Sequence, residues 1–111
     1  MVSLTVEGGF DITGVYRADG RNPEGRPYQA TVQVAAVGQT YLVRWWVTPT
    51  EYHEGVGILV GHLLSVAYQT AGQTGLAVYQ VQPGPRLDGR WAQLDGRGTV
   101  QTELLTFAGK K

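Results

Sequence analysis

The sequence predicts an all-β domain folded as a single eight-stranded antiparallel up-and-down β-barrel. Turn signals containing glycine recur along the chain, which has 16 glycines among 111 residues. The segments between them are rich in Val, Tyr, Trp, Thr, Leu and Ile, which fit a pleated and half-buried surface. Because the predicted loops are short, neighbouring strands should pair in chain order, and closure of the sheet would remove its edges.

The first three strands follow from turn residues and from alternation of apolar with polar side chains. A strand over 12–17 ends at a polar loop, 18–26, that is rich in turn formers. The strands 27–36 and 40–47 both alternate with the period of two that is typical of a strand with one buried face. Pro49 ends the third strand because proline has no N–H to donate.

The segment 54–64 is ambiguous because its apolar spacing also suits a helix. Its three glycines would each cost roughly 1 kcal/mol in a helix relative to alanine. We therefore predict two strands, 55–60 and 63–70, joined by a tight turn at Gly61-His62. Further strands are predicted over 76–82, 86–93 and 98–107. One domain then covers 1–111, with 1–10 as a lead-in and 108–111 as a frayed tail.

The charge balance argues against two classes of partner. Lys and Arg number 9, and Asp and Glu number 9, so the formal net charge is zero. Neither nucleic acid nor a membrane surface is an expected partner, since both are usually bound through a basic patch. Weak repulsion between copies is compatible with a homo-oligomer.

The chain has no cysteine, which excludes disulfides, thiol nucleophiles and thiolate metal sites. The first residues lack a basic n-region followed by an apolar stretch. A cytoplasmic location is expected for the sequence as it stands, and a periplasmic or secreted one if a signal peptide has been removed. No segment approaches the ~18 consecutive apolar residues typical of a membrane-spanning helix.

Asp-Gly-Arg occurs three times, at 19–21, 88–90 and 95–97. One interpretation is a display of recognition tripeptides. The favoured interpretation is hairpin chemistry, because Asp-Gly suits tight turns and Arg is a well-solvated flank.

Six aromatic residues lie on the apolar face of their predicted strands and should point into the barrel. They are Tyr16, Tyr28, Tyr41, Trp45, Tyr68 and Trp91. They could line a pocket that orients a ligand, or they could fill the core, and short strands favour a filled core. Trp46 lies on the opposite face of its strand from Trp45 and is predicted to lie on the outer surface of the barrel, where it could mark a contact patch.

Glu103 lies in the middle of the last predicted strand, between faces that are equally apolar. If it points inward, it is a buried carboxylate that needs an arginine or several donors, and it is a candidate ligand-binding group. If it points outward, it is an ordinary surface charge, and this second orientation is the favoured one.

No residue pattern indicates catalysis, a metal or a cofactor. His53 and His62 are the only histidines, and His53 and its neighbour Glu54 would point to opposite faces of a strand. Serine is almost absent, so a Ser-His-Asp arrangement would depend on Ser65. An enzyme is therefore not expected.

Glycines and aromatic residues also form a longer pattern along most of the chain. It comprises Gly14-Val15-Tyr16, 19–25, Tyr28, 41–45, 55–58, 64–68, Val78-Tyr79, 87–91 and Thr102-Glu103-Leu104. Over about 12–105 the chain resembles a family of small bacterial all-β proteins often labelled fibronectin-binding protein. The resemblance implies an adhesive role and, commonly, export, and it supplies no functional residues. Gly89-Arg90-Trp91 is also similar to a motif of avidin-like and lipocalin-like barrels, which carry it on the first strand.

Two classes of function follow. The first is a non-catalytic barrel that binds a small apolar or aromatic molecule through its inward aromatic residues and, if it is buried, Glu103. The second is a protein-interaction or adhesive module that acts through its loops and Trp46 and keeps a filled core. A void of roughly 300 Å³ or more would favour the first class.

Overall fold

The computed structural model describes residues 11–70 and 72–110, which form a closed antiparallel barrel of eight strands in chain order. The strands are β1 (Gly14–Arg21), β2 (Pro27–Val37), β3 (Thr40–Thr48), β4 (Glu51–Val60), β5 (Leu63–Thr70), β6 (Gln73–Gln82), β7 (Arg86–Gln93) and β8 (Gln101–Gly109). Each strand pairs with its neighbours in sequence, and β1 pairs with β8 to close the barrel. The predicted fold class is confirmed.

Several strands are longer than predicted, mainly at their polar ends. β1 continues to Arg21 because Asp19, Gly20 and Arg21 pair in register with β2. β8 begins at Gln101 and continues through Gly109, so the sheet includes two residues of the predicted tail. Once the ladder is established, polar residues extend it by pairing their backbone groups, which the apolar pattern does not reveal. The predicted lead-in lies outside the described residues.

The two ends of the barrel differ in their connections. The β1–β2, β3–β4, β5–β6 and β7–β8 links lie at one end, here called the open end, and the other three links lie at the closed end. Tyr16 lies in the closed half, where its hydroxyl donates to the Ile12 carbonyl oxygen at 2.8 Å. Phe107 packs edge-on against the Tyr16 ring at 5.5 Å.

Within the described residues, no helix is long and apolar enough to cross a bilayer.

Two of the three Asp-Gly-Arg tripeptides lie in strands, so the hairpin interpretation was wrong for them. Residues 19–21 belong to β1 and residues 88–90 to β7, whereas 95–97 lie in the link between β7 and β8. In the two strand copies the central glycine faces the interior. Because side chains alternate along a strand, the flanking Asp and Arg then face outward.

Leu64 and Leu63 test this assignment of faces, because Leu64 is 0% exposed and Leu63 is 45% exposed. Leu64→Ala should lower the free energy of unfolding by about 2–5 kcal/mol, because it removes core contacts and leaves a cavity. Leu63→Ala should lower it by less than about 1 kcal/mol. Urea denaturation followed by tryptophan fluorescence measures both values, and equal losses would contradict the assignment.

Candidate functional site

A row of five paired residues crosses the inner surface of β2, β1, β8, β7 and β6. The register pairs Tyr28 with Gly20, Gly20 with Glu103, Glu103 with Gly89, and Gly89 with Tyr79. The carboxylate therefore lies between two inward glycines, and a tyrosine lies on the far side of each. Glu103 is 5% exposed and points into the barrel, so the favoured prediction of a surface charge was wrong.

The two glycines make room for the two tyrosine rings. A Cβ at Gly20 would lie 2.4 Å from the Tyr28 hydroxyl, and one at Gly89 would lie 2.5 Å from the Tyr79 ring. Either contact is far shorter than an ordinary van der Waals distance, so any larger residue would displace the ring. Each ring instead lies across its neighbouring strand and reaches the carboxylate two strands away.

Three hydrogen bonds hold the Glu103 carboxylate. The Tyr28 hydroxyl donates to Oε2 at 2.7 Å, and the Tyr79 hydroxyl donates to Oε1. The Trp45 indole Nε1 donates to Oε1 at 3.1 Å and also reaches the Tyr79 hydroxyl at 3.2 Å. All three donors are neutral side chains, and they take the place of the water that a buried carboxylate loses.

The same surroundings act on the two phenols. Burial, and then the nearby charge of Glu103, raise the pKa of Tyr28 and of Tyr79 well above the usual 10.0. The Trp91 indole opposes the shift at Tyr28, but its Nε1 does not reach hydrogen-bond geometry with any described residue. Both tyrosines therefore stay protonated and keep donating to the carboxylate over a wide pH range.

Next to this network is a cavity of about 270 Å³ that opens toward the open end of the barrel. Aromatic side chains form much of its wall. Its described lining residues are Asn22, Tyr28, Gln29, Ala30, Trp45, Val47, His53, Tyr68, Ala77, Tyr79, Trp91, Gln93 and Glu103. The interior is thus packed at the closed end and hollow at the other.

Some polar groups of the cavity lack a full set of partners. Trp91 Nε1 is buried and unpartnered, although the ring packs edge-on against Tyr28 at 6.3 Å. Oε2 of Glu103 accepts one bond, from Tyr28, whereas a carboxylate oxygen can accept about two. At the wall, His53 Nδ1 lies 2.5 Å from the Thr70 hydroxyl. Glu103 Oε2 therefore keeps an acceptor position that no described side chain fills, whereas the Trp91 N–H is covered by its surroundings.

The structure brings five of the sequence-predicted site residues together and separates the others. Tyr28, Trp45, Tyr68, Trp91 and Glu103 line the cavity. Tyr16 and Tyr41 are buried but belong to the closed half and do not line it.

Trp46 lies on the outer surface and packs edge-on against Tyr52 at 4.4 Å. Tyr79 was missed as a site residue, although alternation along 76–82 places it on the same face as Ala77 and Val81. Its position on this apolar face was the signal that could have identified Tyr79.

In the part of the chain that the structure describes, no three His, Cys, Asp or Glu side chains are placed to hold a metal ion.

The chain matches no protein-family model, and no curated protein matches it at a significant level. The resemblance to fibronectin-binding proteins therefore stays a prediction.

Because the barrel keeps the Tyr28 and Tyr79 hydroxyls protonated, the free energy of unfolding should depend on pH in the alkaline range. In the unfolded chain they ionise near pH 10, whereas in the barrel they remain protonated, so the unfolded state binds fewer protons above that pH. The free energy of unfolding should be insensitive to these groups below about pH 9 and should fall as the pH rises above about 10.

Tyr28→Phe should make this fall shallower by up to about 1.4 kcal/mol per pH unit, the slope due to one proton. Urea denaturation at several alkaline pH values measures the slope. The same slope in the wild-type protein and the variant would contradict the assignment.

Proposed function

We propose that this protein is a non-catalytic barrel that binds a small apolar or aromatic molecule in its interior. The observation that carries the proposal is the cavity of about 270 Å³ at the open end. Protein interiors rarely contain voids larger than a water molecule. In this barrel the closed half is filled and the open half is hollow, and the hollow half calls for an explanation. A ligand that occupies the space is the simplest one.

The chemistry of the lining supports binding. Tyr28, Trp45, Tyr68 and Trp91 present large rigid surfaces that hold an apolar molecule without much loss of side-chain entropy. The open position on Glu103 Oε2 lets the carboxylate accept a hydrogen bond from a ligand and so orient it. The volume of about 270 Å³ lies slightly below the ~300 Å³ named above as favouring a ligand, so the proposal depends on the lining as well as the volume, and the ligand is restricted to a small molecule.

Several features favour binding over catalysis. Among the described lining residues there is no serine, cysteine or lysine that could act as a nucleophile. Glu103 accepts three bonds from side chains that position it rigidly. These bonds give the carboxylate a structural and recognition role.

A variant that fills the cavity tests the proposal. Ala77 is 1% exposed and lines the cavity, whereas Ala67 is exposed on the outer face of the neighbouring strand. Ala77→Leu should weaken binding of the neutral fluorophore N-phenyl-1-naphthylamine by about tenfold or more, because the leucine occupies its space. Ala67→Leu should leave binding unchanged.

Fluorescence titration measures both affinities, and thermal unfolding verifies that each variant is folded. Ala30→Leu gives a second filling position if Ala77→Leu does not fold. Equal binding by the wild type and a folded filled variant would contradict the proposal.

A second candidate function, self-association, is favoured by a different observation. Apolar side chains on the outer surface of β4, β5 and β6 are exposed to solvent. We call them the outer apolar face: Val56, Ile58, Val60, Leu63 and Leu76. None of them is charged, and the chain has zero net charge, so a second copy could cover this face without charge repulsion.

Two valines of similar exposure test this candidate. Val60 lies in the outer apolar face and is 65% exposed, whereas Val100 precedes β8 and is 63% exposed. Val60→Lys should lower the association constant by about tenfold or more, and Val100→Lys should not change it. Analytical ultracentrifugation over a concentration series measures association. A wild-type protein that stays monomeric at high concentration would contradict this function.

A further inference from the structure

The charge inside the barrel indicates the class of ligand. Glu103 is the only Asp or Glu among the described residues that line the cavity, and no lysine or arginine lines it. The ion pairs that the described residues form all join exposed side chains on the outer surface: Arg17–Asp19, Arg44–Glu54, Arg86–Asp88 and Lys110–Asp11. The buried carboxylate therefore has hydrogen-bond donors but no lysine or arginine as a counter-charge in the described lining.

The donors fit the ionised form of Glu103. An ionised carboxylate only accepts hydrogen bonds, and Tyr28, Tyr79 and Trp45 all donate to it. These donors spread the negative charge without neutralising it. An uncompensated charge in an apolar interior is costly, so a cation in the adjacent cavity would be stabilised strongly.

The wall of the cavity adds a second attraction for a cation. Tyr28, Trp45, Tyr68, Tyr79 and Trp91 line the space. Aromatic faces attract cations, and the attraction is strongest where water is excluded. The lining is mostly aromatic and apolar and offers few partners to a water shell, which favours an alkylated or aromatic ammonium over a hydrated inorganic ion.

We propose that the cavity selects a small organic cation, with Glu103 as its counter-charge and the aromatic wall as its cage. This inference rests on the proposed binding function and names the class of ligand. The open position on Glu103 Oε2 faces the cation or accepts its N–H. An anion of the same shape is disfavoured because it would lie beside the Glu103 carboxylate with no lysine or arginine in the described lining to balance it.

Three molecules of nearly identical shape separate charge from size: choline, 3,3-dimethylbutan-1-ol and 3,3-dimethylbutanoate. Affinities are measured from the ¹H–¹⁵N signals of the indole groups, with Trp45 and Trp91 in the cavity and Trp46 outside as the internal reference. Choline should bind about tenfold more tightly than the neutral alcohol, and the carboxylate should bind most weakly.

Glu103→Gln removes the charge and keeps a side chain of the same size. It should abolish the preference for choline, so that choline and the neutral alcohol bind the variant with affinities within about threefold of each other. Tyr28→Phe provides a second variant if Glu103→Gln does not fold, because it removes the one partner of Oε2 and keeps the ring. In Tyr28→Phe the preference for choline should be retained or increased.

The outcomes distinguish this inference from the proposed function. Equal or tighter binding of the neutral alcohol in the wild-type protein would overturn the cation selectivity and leave the binding barrel in place. The same holds if none of the three molecules binds but N-phenyl-1-naphthylamine binds in a manner sensitive to Ala77→Leu. If that fluorophore is insensitive to filling of the cavity, the binding function itself is overturned. Loss of the preference for choline in a folded Tyr28→Phe variant would also contradict the inference.

Discussion

The burial of one carboxylate constrains the hollow half of the barrel. Glu103 is 5% exposed, and no lysine or arginine is among the described residues that line the cavity beside it, so neutral hydrogen bonds hold it. Those bonds come from Tyr28, Tyr79 and Trp45, on three different strands. Removing any one of these donors would leave a carboxylate oxygen less well satisfied in an apolar surrounding, which is costly.

The position of the two tyrosines in turn depends on glycine. A ring that spans a neighbouring strand needs an inner surface without a Cβ, and Gly20 and Gly89 supply it on the two strands flanking Glu103. Glycine usually weakens a strand, because it loses more entropy on folding and packs no side chain. Here the ring that covers each glycine offsets part of that loss. The network and the close ring–backbone packing are thus two consequences of the same strand register.

The two halves of the barrel differ in how their interior is packed. An eight-stranded barrel has room for side chains that fill it or for one small ligand. The closed half takes the first solution, with Tyr16, Leu87 and Leu105 almost fully buried. The open half keeps an empty space, because its large rings lie against the wall and several of them are tied to Glu103, so that they line the space without filling it. The side chains that hold the carboxylate also create the cavity beside it.

The sequence by itself determined the barrel, because short apolar-alternating segments between glycine turns permit little else. It also determined which aromatic residues face inward, because alternation has a period of two. Glu103 could not be oriented, since Val100 and Leu104 make the opposite face as apolar as its own. The glycines of Asp-Gly-Arg suggested turns, because the local pattern cannot indicate that a tyrosine on the next strand covers them. Such matters depend on which residues the register places side by side, and register is a property of paired strands. The tertiary structure alone therefore decided that a carboxylate, three donors and a cavity meet at one place.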